Sequence, residues 1–265
     1  MKKRELLLMN FFRKVTLNLI TNLKCLFVPL LALTFVNYLP AQESKVWDYP
    51  VHYGMPEWEK LSTFHERLNA YNIPDNLLQY MTTEDLVNTC LIYPKWLLIS
   101  GFDNLQTGYN AIKSVFNGFA ELENRPDAFK ELYRVYQKMD PEEITKSSKK
   151  GQFTFEFTFI ELLLSQNSVL SSLSNSEKIS LIKTSNSIYE KKCKHIDVFS
   201  TLGLSTTCMI LGRILEQGNS DIYTSLKKDS PEVEKFIREG PFGPHKVLLD
   251  NIVVASQNYL FQIQL

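Results

Sequence analysis

Two ionisable residues stand inside apolar runs, Glu161 in FTFIELLL and Arg213 in CMILGRIL. A carboxylate beside an anion-holding guanidinium can carry acid–base chemistry, so this is the first place to look for a catalytic centre. A structural account competes with it. A lone buried charge costs several kcal/mol or more, and such a charge normally finds a partner. The helical stretches near 153–173 and 200–217 are therefore expected to pack together, with Glu161 and Arg213 forming an ion pair that fixes their register.

The other chemistry-bearing residue types do not assemble into a known fingerprint. No glycine-rich phosphate loop is present, and GLSTT from Gly203 lacks the second glycine of a nucleophile elbow. His65-Glu66 is followed by Arg67, Leu68 and Asn69, which is not a zinc helix. Cys193-x-His195 has no second ligand pair, whereas a stable zinc site takes four protein ligands or three plus water. Neither a metal nor any other cofactor is expected. The members of a catalytic triad can lie far apart in sequence, and nothing here points to one.

The elements that would position such residues are helical almost throughout. In PEWEKLSTFHERLNAY, Trp58, Leu61, Phe64, Leu68 and Tyr71 fall on one stripe at three- and four-residue steps. NLQTGYNAIKSVFNGFAELEN reads as one long helix with Leu105, Tyr109, Ile112, Phe116 and Phe119 inward. Thr82 with Asp85, and Ser174 with Glu177, are capping-box starts, and Asp103-Asn104 is an N-cap signal. Ser230-Pro231-Glu232 opens a short helix that Gly240 ends. GQFTFEFTF alternates like a strand, but the chain offers no second strand to pair with it. Phe153, Phe157, Ile160 and Leu164 also form a helical stripe, and helix is the expectation. The fold class is all-α: about nine helices in stacked antiparallel pairs, as a helical bundle or a short α-superhelix. Residues 42–265 are expected to form one domain, with an internal seam near 147–151. Gly203, Gly212 and Ser205-Thr206-Thr207-Cys208 give one helix a small-residue face for close packing.

The start of the chain reads as an export signal. Cys25 to Val36 is a twelve-residue apolar run, too short for the roughly 20 residues of a membrane span but suited to a signal core. Lys2, Lys3, Arg4, Arg13, Lys14 and Lys24 precede it, and Met9 is a second candidate start. Residues 1–41 are assigned as a signal peptide cleaved between Ala41 and Gln42. Removing the six basic residues and one acid of that segment from the 29 of each sign leaves 23 basic and 28 acidic. A net charge of −5 argues against a nucleic-acid binder. Cys90, Cys193 and Cys208 then remain, too few for a disulfide scaffold, though one bridge is open to any two of them. No Asn-x-Ser/Thr acceptor occurs, which favours a bacterial setting, periplasmic or secreted. The aromatic segment VWDYPVHYGMPEW is expected to lie across its own domain, with a recognition arm as the other reading.

The stretches MTTEDLVNTCLIYPKWL, FNGFAELENRPDAFKELYRVY, FTFIELLLSQ and TTCMILGRIL resemble a group of exported bacterial helical proteins of unassigned function. The resemblance covers roughly Trp47 to Gln217. It implies export and an all-helical fold, and it carries no activity. The functional expectation is an exported, non-catalytic interaction module whose partner is another envelope or extracellular protein, with no nucleic acid and no stable membrane span. The alternative is a hydrolase or lyase with an unrecognised site near Glu161 and Arg213. A third reading, a carrier of apolar ligands, is suggested by 17 Phe and 12 Tyr.

Overall fold

The computed structural model describes residues 45–240 and 246–264. The proposed cleavage point between Ala41 and Gln42 lies outside the described residues. Among those residues there are fourteen α-helices and two 3-10 helices, and no strand. The helices are α1 (Pro56–Glu59), α2 (Phe64–Asn69), α3 (Asp75–Leu78), α4 (Thr83–Leu91), α5 (Leu105–Lys113), α6 (Asn117–Asn124) and α7 (Ala128–Tyr136). After them come α8 (Lys150–Leu164), α9 (Asn167–Leu170), α10 (Asn175–Lys194), α11 (Ile196–Gly218), α12 (Asp221–Asp229), α13 (Val233–Glu239) and α14 (Lys246–Gln264). The 3-10 helices are Trp96–Gly101 and Pro141–Thr145. The all-helical expectation holds, but nine is an undercount, for two reasons.

Single-turn helices such as α1, α3 and α9 are too short to show periodicity. Two expected long helices are also broken. The stripe from Trp58 to Tyr71 splits at Lys60–Thr63, where the Thr63 hydroxyl accepts from the Glu66 N–H and the Glu66 carboxylate accepts from the Thr63 N–H. That capping box starts α2 afresh and turns Phe64 outward. The stripe from Leu105 to Phe119 splits at Ser114–Phe116. There the Asn117 carboxamide bonds both the N–H and the C=O of Ile73, which holds the loop before α3 against the start of α6.

GQFTFEFTF is helical, and its four phenylalanines serve two faces of α8. Phe153 and Phe157 meet Phe199 on one side, while Phe155 and Phe159 stack on each other, with Phe159 also on Trp96. The apparent alternation is two helical stripes, four residues apart, offset by two.

The first part of the chain packs short helices around aromatic rings. Tyr93 stacks on Phe116 at 4.3 Å, and Trp96 stacks on Phe159 at 4.5 Å. The segment before α1 is laid across this core: the Trp47 N–H and the Tyr49 hydroxyl donate to the side chain and carbonyl of Thr89, and Tyr49 is buried. The second part is a bundle centred on α11, with α8, α10 and α14 against it. α10 and α11 form the expected antiparallel hairpin. α8 instead runs parallel to α11, since Phe157 meets Phe199, Glu161 meets Thr206 and Thr207, and Ser165 meets Arg213. α14 is also parallel to α11, with Cys208 at Leu249 and Gly218 at Tyr259. The antiparallel-pair expectation therefore describes only part of the bundle.

Two glycines are fixed by geometry. Gly240 ends α13 at φ +84°, as expected for that residue. Gly212 lets α13 press against α11, because a Cβ there would lie 2.8 Å from Cγ1 of Ile237. Ser200 sits at φ +54° and ψ −179°, a region otherwise used almost only by glycine, and it kinks the first turn of α11. α11 is also, among the described residues, the one helix long and apolar enough to cross a membrane, and most of it is buried inside the bundle.

Candidate functional site

Glu161 and Arg213 are both buried, and their helices pack together, but they do not pair with each other. The carboxylate of Glu161 is taken by Lys192, whose Nζ lies 2.8 Å and 2.7 Å from its two oxygens. Tyr136 donates to it at 2.9 Å and Thr207 at 2.7 Å, and Thr206 adds a third hydroxyl. Lys192 also donates to the carbonyl of Gly203 and the hydroxyl of Thr207, and lies over the rings of Phe157 and Phe199. Neither Glu161 nor Lys192 has any exposed surface. Burial pulls the Lys192 ammonium below the ordinary lysine range, and the adjacent Glu161 opposes that pull. The cluster ties α7, α8, α10 and α11 together, and no solvent reaches it.

Arg213 lies six to seven residues beyond Thr206 and Thr207, about 10 Å further along α11, which is why it misses Glu161. Its guanidinium donates to the carbonyls of Ser165 at 2.8 Å and Ile237 at 2.9 Å, and to Oε1 of Gln106 at 2.7 Å. Ser165 is the C-cap of α8, and Ile237 lies in the last turn of α13. The cation therefore sits at the negative ends of two helices, and the charge of nearby Glu216 also favours it, although among the described residues no carboxylate forms an ion pair with it. Burial still pulls its pKa down to about 10.

Sequence reasoning missed Lys192, Tyr136 and the hydroxyl roles of Thr206 and Thr207. A signal for Lys192 existed. It continues the buried stripe Leu181, Ser185, Ile188 and Tyr189 of α10 at helical spacing, but it reads as part of the charged run EKKCK. Cys193 and His195 lie at the junction of α10 and α11. Among the described residues no group of three or more His, Cys, Asp or Glu is placed to hold a metal, and Cys90, Cys193 and Cys208 are free thiols. Burial raises the Cys90 and Cys208 thiols well above their usual range, which leaves them unreactive.

Two surface features remain. The first is a polar cavity of about 630 Å³ beside Arg213, with Gln106, Lys113, Glu123, Glu216, Glu234 and Arg238 in its wall. Its charges are largely spent on each other or on neighbours: Lys113 pairs with Glu123, Arg238 with Glu239 and Glu234 with Lys227. The second is an apolar face on both sides of the Trp96–Gly101 turn. On one side, Ile92, Trp96, Leu97, Phe155 and Phe159 line a groove of about 630 Å³. On the other, Phe64, Leu98, Phe102, Ile112 and Val115 line one of about 400 Å³. Tyr93 borders both. Phe64 is 65% exposed, Leu97 59% and Ile92 55%, with Phe102 and Phe155 also exposed.

No protein-family model, no curated protein and no solved structure matches this chain.

Proposed function

We propose that this chain is an exported, non-catalytic helical module of the bacterial envelope or extracellular space. It binds another protein through the apolar face around Trp96–Gly101. The observation that carries the reading is that five large apolar side chains are exposed on the two sides of that turn, Ile92, Leu97 and Phe155 on one and Phe64 and Phe102 on the other, with Tyr93 bordering both. Such patches mark sites of interaction. The basic start, the apolar core at Cys25–Val36 and the small-residue exit at Ala41 support export.

The hydrolase or lyase reading has one supporting observation, the polar cavity beside Arg213. Glu161 does not line that cavity, and its oxygens are occupied by Lys192 and three hydroxyls. A general acid or base must reach substrate, directly or through one water, and Glu161 reaches neither.

The test is made in the native host with tagged chain. The N-terminus of the exported form, read by mass spectrometry, is expected at Gln42. One protein is expected to co-purify at near-equal amount with the unaltered chain and to be lost from Leu97→Asp. A chain retained with its first 41 residues in the cytoplasm contradicts export. Co-purification unaffected by Leu97→Asp contradicts the binding face.

A further inference from the structure

We propose that the groove between Ile92–Leu97 and α8 receives an amphipathic helix of the partner that carries acidic side chains toward Lys149 and Lys150. This rests on the interaction reading above and names the chemistry of its partner.

The floor of the groove is rigid. Trp96 is stacked on Phe159, and its indole N–H is tied to the Cys90 carbonyl at 2.7 Å. A pre-ordered apolar floor loses little freedom on binding. Along α8 the groove runs from Gly151 to Phe159, a rise of eight steps or about 12 Å, the length of two helical turns. Its outer side is open, because Ile92, Leu97 and Phe155 stand at the rim with much of their surface in water. Sites for small apolar ligands enclose roughly 70–90% of the ligand surface. An open trough two turns long instead suits the apolar stripe of a helix, read at i, i+3 or i+4, and i+7.

The charge at one end selects the helix. Lys149 and Lys150 are exposed at the start of α8 and enter no ion pair among the described residues. The first turn of α8 has no acidic side chain, and Lys149 makes no side-chain capping bond. The helix therefore adds its own positive end to those two ammonium groups. Gly151 and Gln152, the next residues, line the groove. Glu156 is the acid on this wall, and it accepts from the Gln152 amide at 3.1 Å. An occupant with carboxylates at this end meets two cations that enter no ion pair among the described residues, and one with lysines meets repulsion. Glu156 acts in the other direction from about two turns further along α8.

The experiment titrates the purified full chain with two labelled synthetic 15-residue helical peptides sharing one leucine stripe. One carries glutamates flanking the stripe, and the other carries lysines at the same positions. The glutamate peptide is expected to bind about tenfold more tightly. The preference should invert in the double variant Lys149→Glu/Lys150→Glu, and Leu97→Asp should abolish binding of both. All three residues are exposed, so helical circular dichroism should not change. Absence of binding, equal binding of the two peptides, or a preference that survives the charge reversal overturns the inference. Phosphatidylglycerol vesicles are run in parallel. Vesicle binding lost in Leu97→Asp, with neither peptide bound, assigns the groove to a lipid surface and also overturns it. In the native host, a partner lost from Leu97→Asp but kept by the lysine reversal refutes only the acidic helix. A partner kept by both variants refutes the binding face as well.

Discussion

Replacing Lys192 with methionine would leave the Glu161 carboxylate fully buried with three hydroxyl donors and no cation. Lys192 Nζ makes four contacts within 3.1 Å, two of them to Glu161. Breaking a buried pair from one side typically costs about 3–5 kcal/mol, because the remaining charge is uncompensated. For a folded unit of this size that corresponds to a fall in Tm of roughly 6–20 °C. Glu161→Gln, which strands the ammonium instead, should cost a similar amount. The double variant removes both charges and should cost less than the two singles together, by about 2 kcal/mol or more. Urea unfolding of the four proteins, followed by circular dichroism, gives the cycle. Costs that add within about 0.5 kcal/mol, or single costs below about 1 kcal/mol, would refute the buried pair.

Further outcomes follow from the same geometry. Arg213→Met strands the carbonyls of Ser165 and Ile237 and should cost about 2–4 kcal/mol, with no coupling to Glu161→Gln in a second cycle; strong coupling would restore the Glu161–Arg213 pair. Ser200→Gly relieves a glycine-like backbone conformation but loses the hydroxyl that accepts from the Leu202 N–H. The net gain should be about 1 kcal/mol, and a lower Tm would show the conformation is unstrained. Burial raises the hydroxyls of Tyr49, Tyr93, Tyr109 and Tyr136 above the usual tyrosine range. Their contribution is complete below pH 10 and is lost above it, because the unfolded chain releases protons that the folded chain keeps. Each group removes about 1.4 kcal/mol per pH unit. Arg213, lowered to about 10, and Lys192, also lowered by burial, work in the opposite direction, two groups against the four tyrosines and the buried thiols of Cys90 and Cys208. The tyrosinate absorbance of these four buried residues, taken as the part lost when each is changed to Phe, should rise together with loss of helix between about pH 10.5 and 12. Their ionisation with helix intact would contradict this.

Most of the helical pattern was legible because it rests on local signals. Ser174 with Glu177 and Asn104 at Thr107 cap helices where the residue types say they should. The strand-like GQFTFEFTF was resolved by a non-local argument, the lack of a pairing partner. The breaks at Thr63 and Asn117 were not legible, since each interrupts an apolar stripe that continues at helical spacing beyond it. The charges were half legible. An ionisable residue inside an apolar run announces its burial, but its partner depends on axial offset between helices. Arg213 stands about 10 Å too far along α11 to meet Glu161. Lys192 was hidden because a lysine beside Lys191 and Lys194 reads as solvated. The apolar face was not legible at all: Phe64, Leu97 and Phe155 differ from core residues only in where the chain leaves them.

The central claim is that the face around Leu97 is covered by another protein outside the cytoplasm. The most direct measurement places a photo-crosslinking amino acid at Leu97 in the native host, with Lys183, an exposed residue of α10, as the control position. The account predicts one dominant cross-linked protein from position 97, recovered from the envelope or medium and absent from position 183. No adduct at position 97, or the same adducts from both positions, would contradict it.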